Sequence, residues 1–249
     1  MDTVSFLLAI ALAIVAGGLV KGTFGLGLPL VAMPLMTYFL SVANAISLLV
    51  VPILATNLAQ GFIGGWPAFL ARLRRFAPPL IALTLCIAVS MKALVIIPEK
   101  ILFALIGVAV VGIALLARFR PRLQITPRQE PWFGTLAGAI GGVLGGLTSI
   151  YGPPLMVFLA GLRLNKDDFV GAISLMYFMG GIGMGIGLAG FGIADSTVFL
   201  YSLLAVIPAM IGIKLGQLIR VRLNEQRFAR WLFWMYVVIG GSFLVKAIP

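Results

Sequence analysis

The chain has 249 residues, 61% of them apolar and 10% charged, with a formal charge of +11, no histidine and a single cysteine. A soluble domain carries about a quarter charged residues, so a chain with a mean hydropathy of +1.15 has too few to cover an aqueous surface. Cys86 alone and the lack of histidine exclude a disulfide framework and a Cys/His metal site.

Apolar runs of roughly twenty residues recur along the chain, the signature of membrane helices. They cover 4–20, 28–40, 43–65, 76–97 and 99–117 and resume at 132–147, 153–162, 169–191, 196–219 and 228–247. The polar stretch from Arg118 to Glu130 is the longest and serves as the linker. The chain thus divides into a first transmembrane repeat (1–117), a linker (118–131) and a second repeat (132–249). Met1 to Gly18 is apolar but lacks the basic n-region of a signal peptide, and reads as retained.

The first run leads into a glycine-studded break, Gly17-Gly18-Leu19-Val20-Lys21-Gly22-Thr23-Phe24-Gly25-Leu26-Gly27-Leu28-Pro29. A second break lies 124 positions on, through Gly141, Gly142, Gly145, Gly146, Thr148, Ser149, Tyr151, Gly152, Pro153 and Pro154. A helix over 153–162 reaches only about 15 Å against a hydrocarbon core of about 30 Å. That run is too short to cross, and 28–40 is also short. The spacing predicts an all-α membrane protein of about eight full spans plus half-helices. In it, the first two segments of each repeat form a broken or re-entrant pair, with irregular backbone sheltered by protein or a watery cavity.

The basic residues cluster between the apolar runs. Arg72, Arg74 and Arg75 form one group and Arg118, Arg120, Arg122 and Arg128 a second; Arg163 and Lys166 follow, then Arg220, Arg222, Arg227 and Arg230. Placing both termini outside and counting five boundaries per half puts all of them on the cytoplasmic side, as the positive-inside rule requires. Outside loops keep Asp2, Glu99, Lys100, Asp195 and Lys246. An odd boundary count means that the second repeat enters from the opposite face, the plan of inverted-repeat transporters. This clustering also argues against nucleic acid as a partner, since no soluble basic face remains to dock a duplex.

Later glycines, such as Gly138/Gly142/Gly146 and Gly181/Gly185, recur at the spacing that lets membrane helices approach closely. Gly185-Ile186-Gly187-Leu188-Ala189-Gly190 matches a dinucleotide fingerprint but lies inside a membrane run without a preceding strand, so no cofactor is expected.

The distribution of charge constrains chemistry further. All the carboxylates (Asp2, Glu99, Glu130, Asp167, Asp168, Asp195, Glu225) fall in loops or at segment ends, and the ionisable groups at membrane depth are Lys21, Lys92 and Lys214. A lysine at a helix centre costs about 2.5–3.5 kcal/mol on insertion scales, so it is retained for a partner or ligand. Lys92 and Lys214 lie near segment ends, where snorkelling accounts for them. Lys21 has two readings, an anchor capping the first helix at the cytoplasmic face or the cation of a midplane site. The second gathers Lys21, Gly22 and Thr23 with Thr148, Ser149, Tyr151 and Gly152 into a donor-rich pocket, helped by half-helix N-termini near Leu28 and Pro153. Thr56, Asn57 and Gln60 share one helical face, bonding a neighbour or lining a path, with Ser174 and Tyr177 as counterparts in the second repeat.

Both breaks, the five-segment halves and the basic linker resemble the sulfite exporter TauE/SafE family. The likeness rests on Lys21-Gly22, Gly25, Gly27 and Pro34, and on Gly141-Gly142, Gly145-Gly146 and Gly152-Pro153-Pro154, and it covers essentially the whole chain. It implies a polytopic protein of the bacterial inner membrane that moves sulfite or organic sulfur anions. Leu28-Pro29 and Ile150-Tyr151 depart from the small residues frequent there, so the substrate does not carry over with the family.

The reading is a transporter exporting small anions, sulfite or organosulfonates, by alternating access. Its proposed binding residues are Lys21, Gly22, Thr23, Asn57, Gln60, Thr148, Ser149, Tyr151 and Gly152, and its partners are the anion and the bilayer. A passive anion channel is the alternative. An enzyme lacks support because no paired carboxylates or nucleophile–base set occurs at membrane depth, and a purely structural subunit does not account for costly buried polar groups.

Overall fold

The computed structural model describes residues 3–25, 27–119, 124–193 and 196–220, with scattered positions between 234 and 247. Among them there are twelve helices and no strand. In chain order the helices are α1 (Thr3–Phe24), α2 (Leu28–Met36), α3 (Val42–Gly61), α4 (Gly65–Arg75), α5 (Ala77–Ser90) and α6 (Ala93–Ile96). They continue with α7 (Glu99–Phe119), α8 (Glu130–Thr148), α9 (Gly152–Gly161), α10 (Lys166–Gly190), α11 (Ser196–Leu204) and α12 (Val206–Arg220). Arg120, Arg122, Arg222, Arg227, Arg230, Asp2, Asp195, Glu225, Lys246 and most of the run 228–247 lie outside the described residues.

Five described stretches are long and apolar enough to cross a membrane: Ser5–Thr23, Val42–Gly61, Ala77–Ile96, Asp167–Gly190 and Thr197–Ile219. The chain is a multi-pass, all-helical membrane protein. Its outer helices present large apolar side chains such as Leu85, Val89, Ile207 and Leu218, which suits a surface facing lipid. The short α2 is enclosed instead, with every residue but Leu35 buried.

Helix starts follow local chemistry. Ser41 caps α3 by accepting from the Asn44 N–H, and Asn165 caps α10 by accepting from the Asp168 N–H at 2.8 Å. Pro52, inside α3, has no N–H to offer the Leu48 carbonyl. The Ser202 hydroxyl of α11 donates to that carbonyl at 2.9 Å, so an apolar medium that tolerates no unpaired backbone group is satisfied by a neighbouring helix.

Helix α1 lies along α12 and α5 along α8, while α10 packs on both α3 and α5. Glycines permit these approaches. A Cβ at Gly18 would come within 3.1 Å of the Gly212 Cα, and one at Gly142 within 2.8 Å of the Leu83 carbonyl oxygen. Such small-residue contacts replace the hydrophobic drive that lipid removes.

The helices run further into the glycine stretches than their sequence suggests. Helix α1 continues through Gly17, Gly18, Lys21 and Gly22 to Phe24, and α8 continues through Gly141 and Gly146 to Thr148. The glycines there are needed for packing, not for a turn, so the intrahelical hydrogen bonds persist. The first segment is therefore long enough to span, whereas α2 and α9, at 9 and 10 residues, are not. A further helix, α4, begins where the third segment ends and carries the first arginine cluster in its last turn. Gly64 and Gly65, at φ +84° and +80°, turn the chain into it. Trp66 and Phe69 of α4 stack with Phe62 at ring separations of 4.5–5.7 Å.

Candidate functional site

The two true breaks are built alike. Gly25 and Ser149, 124 positions apart, both adopt positive φ (+84° and +60°). Each donates its N–H at 2.7 Å to the carbonyl four residues earlier, of Lys21 and Gly145 respectively. Beyond each, the chain reverses into a short helix with proline in its first turn. Because Pro153 and Pro154 lack an N–H, Gly152 is the one N–H donor among the first three positions of α9.

Lys21 projects from the last turn of α1 and is 2% exposed. Its Nζ donates to Asn57 Oδ1 of α3, and Asn57 is held in turn by a 2.7 Å bond from its Nδ2 to the Ile53 carbonyl. On another side the ammonium lies 5.9 Å from the centre of the Tyr177 ring of α10, within reach of a cation–π attraction. Tyr177 packs against Tyr151 at 4.7 Å between ring centres with the rings tilted by 40°, and the Tyr151 hydroxyl donates to the Tyr177 carbonyl at 3.0 Å. Gly152 completes the group, its α-carbon against the Tyr177 hydroxyl. Side chains from α1, α3, α10 and the second break thus converge on one buried place.

The other candidates are placed differently. A Cβ on Gly22 would collide with the Ile213 carbonyl, so this glycine serves the α1–α12 contact. The Thr23 hydroxyl donates to the Leu19 and Gly216 carbonyls at 2.8 and 3.2 Å, also on the α12 side. Thr148 donates to the Leu144 carbonyl at 2.7 Å and accepts from the Ile150 N–H at 3.1 Å, bracing the second break. The Ser149 hydroxyl meets the Met184 sulfur at 3.8 Å. Gln60, half-buried one turn from Asn57, accepts from Ser174 at 3.3 Å and joins α3 to α10. Thr56 bonds the Pro52 carbonyl of its own helix at 2.7 Å. Lys92 and Lys214 are exposed, as snorkelling requires.

Tyr177 is more central than its sequence signal. Only its place in the segment matching the Asn57 helix pointed to it. Two cavities of about 460 and 490 Å³ lie elsewhere, one beside Ile10 and Leu48, the other beside Leu136 and Pro154. Both are lined almost wholly by apolar side chains, which suits acyl chains and not a charged solute.

The bundle is long and apolar enough to span a membrane and buries a lysine among uncharged side chains at a chain reversal. The family model described as Sulfite exporter TauE/SafE matches residues 9–243, nearly the whole chain, and the chain belongs to that family. The family is one of membrane transporters of sulfur-compound anions. No curated protein and no solved structure matches the chain.

Proposed function

We propose that the protein exports a small sulfur oxyanion, sulfite or an organosulfonate, by alternating access, with Lys21 as the cation that holds it. One observation carries this reading: Lys21 is buried, and its hydrogen-bond partner among the described residues is the neutral Asn57. An ammonium has three donors, so two N–H groups remain for a ligand, and charge balance asks that it be an anion. Tyr151, Gly152 and Tyr177 form the opposite wall. Gln60, Thr148 and Ser149 support the elements around it, and Gly22 and Thr23 seat α1 against α12.

Residues 1–117 and 132–249 are proposed as inverted repeats joined by a cytoplasmic linker at 118–131. The exchange of partners supports this: α1 with α12 is matched by α8 with α5, and the central pair is α3 with α10. The site then lies near the midplane between the two breaks, where rocking of one repeat on the other would open it to alternate faces. The basic clusters place the linker inside and both termini outside the bacterial inner membrane. Labelling of a cysteine at position 128 by an impermeant reagent from outside intact cells would refute that orientation.

The test is sulfite flux in proteoliposomes. Wild-type flux is expected to saturate and to be stimulated by sulfite on the far side, which a passive channel would not show. Lys21→Gln should weaken sulfite binding at least tenfold, about 1.4 kcal/mol, while the protein stays folded, with Lys21→Arg intermediate. Wild-type affinity in Lys21→Gln, or preferred transport of a cation, would sink the proposal.

A further inference from the structure

Tyr177 carries a buried hydroxyl without a hydrogen-bond partner, the sole such side-chain group among the described residues. Tyr177 is 2% exposed, and its ring is held in place from three directions. Tyr151 packs on it with its ring tilted by 40°, the Lys21 ammonium stands 5.9 Å from the ring centre, and the Gly152 α-carbon abuts the hydroxyl. A buried hydroxyl without an acceptor forfeits its hydration and receives nothing in return. Phenylalanine would fill the same space without that loss, so packing alone does not account for the oxygen.

Gly152 points the same way. A Cβ there would overlap the Tyr177 oxygen and crowd its ring Cζ at 3.1 Å, so a glycine at this position leaves room for the hydroxyl. The carboxylates of both described ion pairs, Asp168 and Glu130, are engaged with Arg72 and Arg75. The tyrosine O–H and the two remaining lysine N–H groups are donors gathered in one place without a hydrogen-bond acceptor among the described residues. A ligand that supplies acceptors completes the set.

We infer that the Tyr177 hydroxyl is a direct hydrogen-bond donor to the transported anion, so that the site takes an oxyanion with at least two acceptor oxygens. One oxygen meets the Lys21 ammonium and another the Tyr177 hydroxyl. The inference rests on Lys21 holding the anion, and it adds a specificity element. A sulfite, sulfonate or carboxylate group bridges two separated donors, whereas a single spherical acceptor such as chloride reaches one of them well.

The test compares wild type, Lys21→Gln and Tyr177→Phe as full-length purified proteins, with sulfite, methanesulfonate and chloride as probes. Binding affinity and anion-free thermal stability are both read. Tyr177→Phe should weaken sulfite and methanesulfonate at least fivefold and chloride less than twofold. Its anion-free melting temperature should equal or exceed that of wild type, because the deleted group had no partner. Sulfite affinity within fivefold of wild type in Tyr177→Phe, alongside the loss in Lys21→Gln, would overturn the tyrosine's role and leave the lysine site standing. Wild-type affinity in Lys21→Gln would remove both. A second route avoids dependence on one variant. Gly152→Ala drives a methyl against the hydroxyl and should weaken sulfite in the wild-type background, yet add much less in the Tyr177→Phe background, where the overlap with the oxygen is gone and the nearest atom is the ring Cζ at 3.1 Å. Equal, additive losses in the two backgrounds would show that Gly152 acts without the hydroxyl and would overturn the inference.

Discussion

Among the described residues two cationic side chains are buried, Lys21 at 2% and Arg72 at 6% exposure, and their surroundings could hardly differ more. Arg72, on α4, donates through Nη1 to the Ile63 carbonyl at 2.6 Å, and through Nε and Nη2 to Asp168 Oδ1 at 3.3 and 3.1 Å. Asp168 is fixed in turn by the Asn165 amide at 2.7 Å. The arginine thus closes the end of α3, pairs with the start of α10, and lies so near Gly171 that a side chain there would overlap the guanidinium. Lys21 has one amide oxygen and an aromatic face. Burial is common to both cations, and it is the supply of acceptors that separates the clamp from the proposed binding site. A charge most of whose donors are answered, as for Arg72 with four hydrogen bonds, holds helices together, whereas one left largely unanswered is, in the reading proposed above, held ready for an anion.

The comparison breaks most visibly if Lys21 is given what Arg72 already has. In Asn57→Asp the carboxylate takes the position of Oδ1 against the ammonium, and an entering anion must compete with it. Sulfite affinity should fall at least tenfold, about 1.4 kcal/mol, with thermal stability no lower than wild type. Isothermal titration and a melting curve on one preparation check both halves. Undiminished affinity would mean that the anion is bound elsewhere.

The converse change makes Arg72 resemble Lys21. Asp168→Asn leaves the guanidinium its backbone carbonyls but removes the counter-charge. Stranding a fully buried ion costs about 3–5 kcal/mol. The Asp168 side chain is 46% exposed, so water reaches the pair and a loss of about 1–2 kcal/mol is expected. Sulfite affinity should stay within twofold. A stability loss together with a tenfold affinity loss would show that the clamp and the site are one cooperative unit.

Much of this contrast is legible in the sequence, and the part that is not has a physical cause. The membrane class, the 124-residue repeat of the glycine pattern and the isolation of Lys21 from any intramembrane acid follow from composition and position, since a bilayer admits so few charged groups. The location of the breaks does not. Glycine signals both a turn and a close helix contact, and only the positive φ at Gly25 and Ser149 shows which residues turn. Gly17, Gly18, Gly22, Gly142 and Gly146 read as a break but are packing surfaces inside helices. Thr23 reads as a pocket donor, yet two residues on from Lys21 it lies about 200° round the helix and turns to α12. Tyr177 is the opposite case, an ordinary aromatic residue in an apolar run whose importance depends on where four separate elements meet. Arg72 sits in a cluster that the positive-inside rule explains by itself, and that sufficient explanation conceals its burial.

The smallest effect sharpens the comparison from a third side. Arg75, on the same helix as Arg72, grips Glu130 at the start of α8 with two bonds, Nε to Oε1 at 2.7 Å and Nη2 to Oε2 at 3.0 Å. Its geometry is better than that of the Arg72–Asp168 pair, but the Arg75 side chain is 48% exposed. The hydrogen bond to Glu130 raises the Arg75 guanidinium above its ordinary value. A raised cation contributes stability that is complete below its unfolded pKa and lost only as pH climbs through the folded one. The arginine therefore introduces no pH dependence in the neutral range. Glu130→Gln should cost less than about 1 kcal/mol, as solvated pairs do. That difference should shrink in 1 M salt, where the screening length is about 3 Å, while the loss in Asp168→Asn should persist because protein surrounds its cation. If Glu130→Gln instead destabilises as much as Asp168→Asn and resists salt equally, then pair geometry and not burial sets the strength of these contacts. The distinction between Lys21 and Arg72 would then have to rest on the missing acceptors alone.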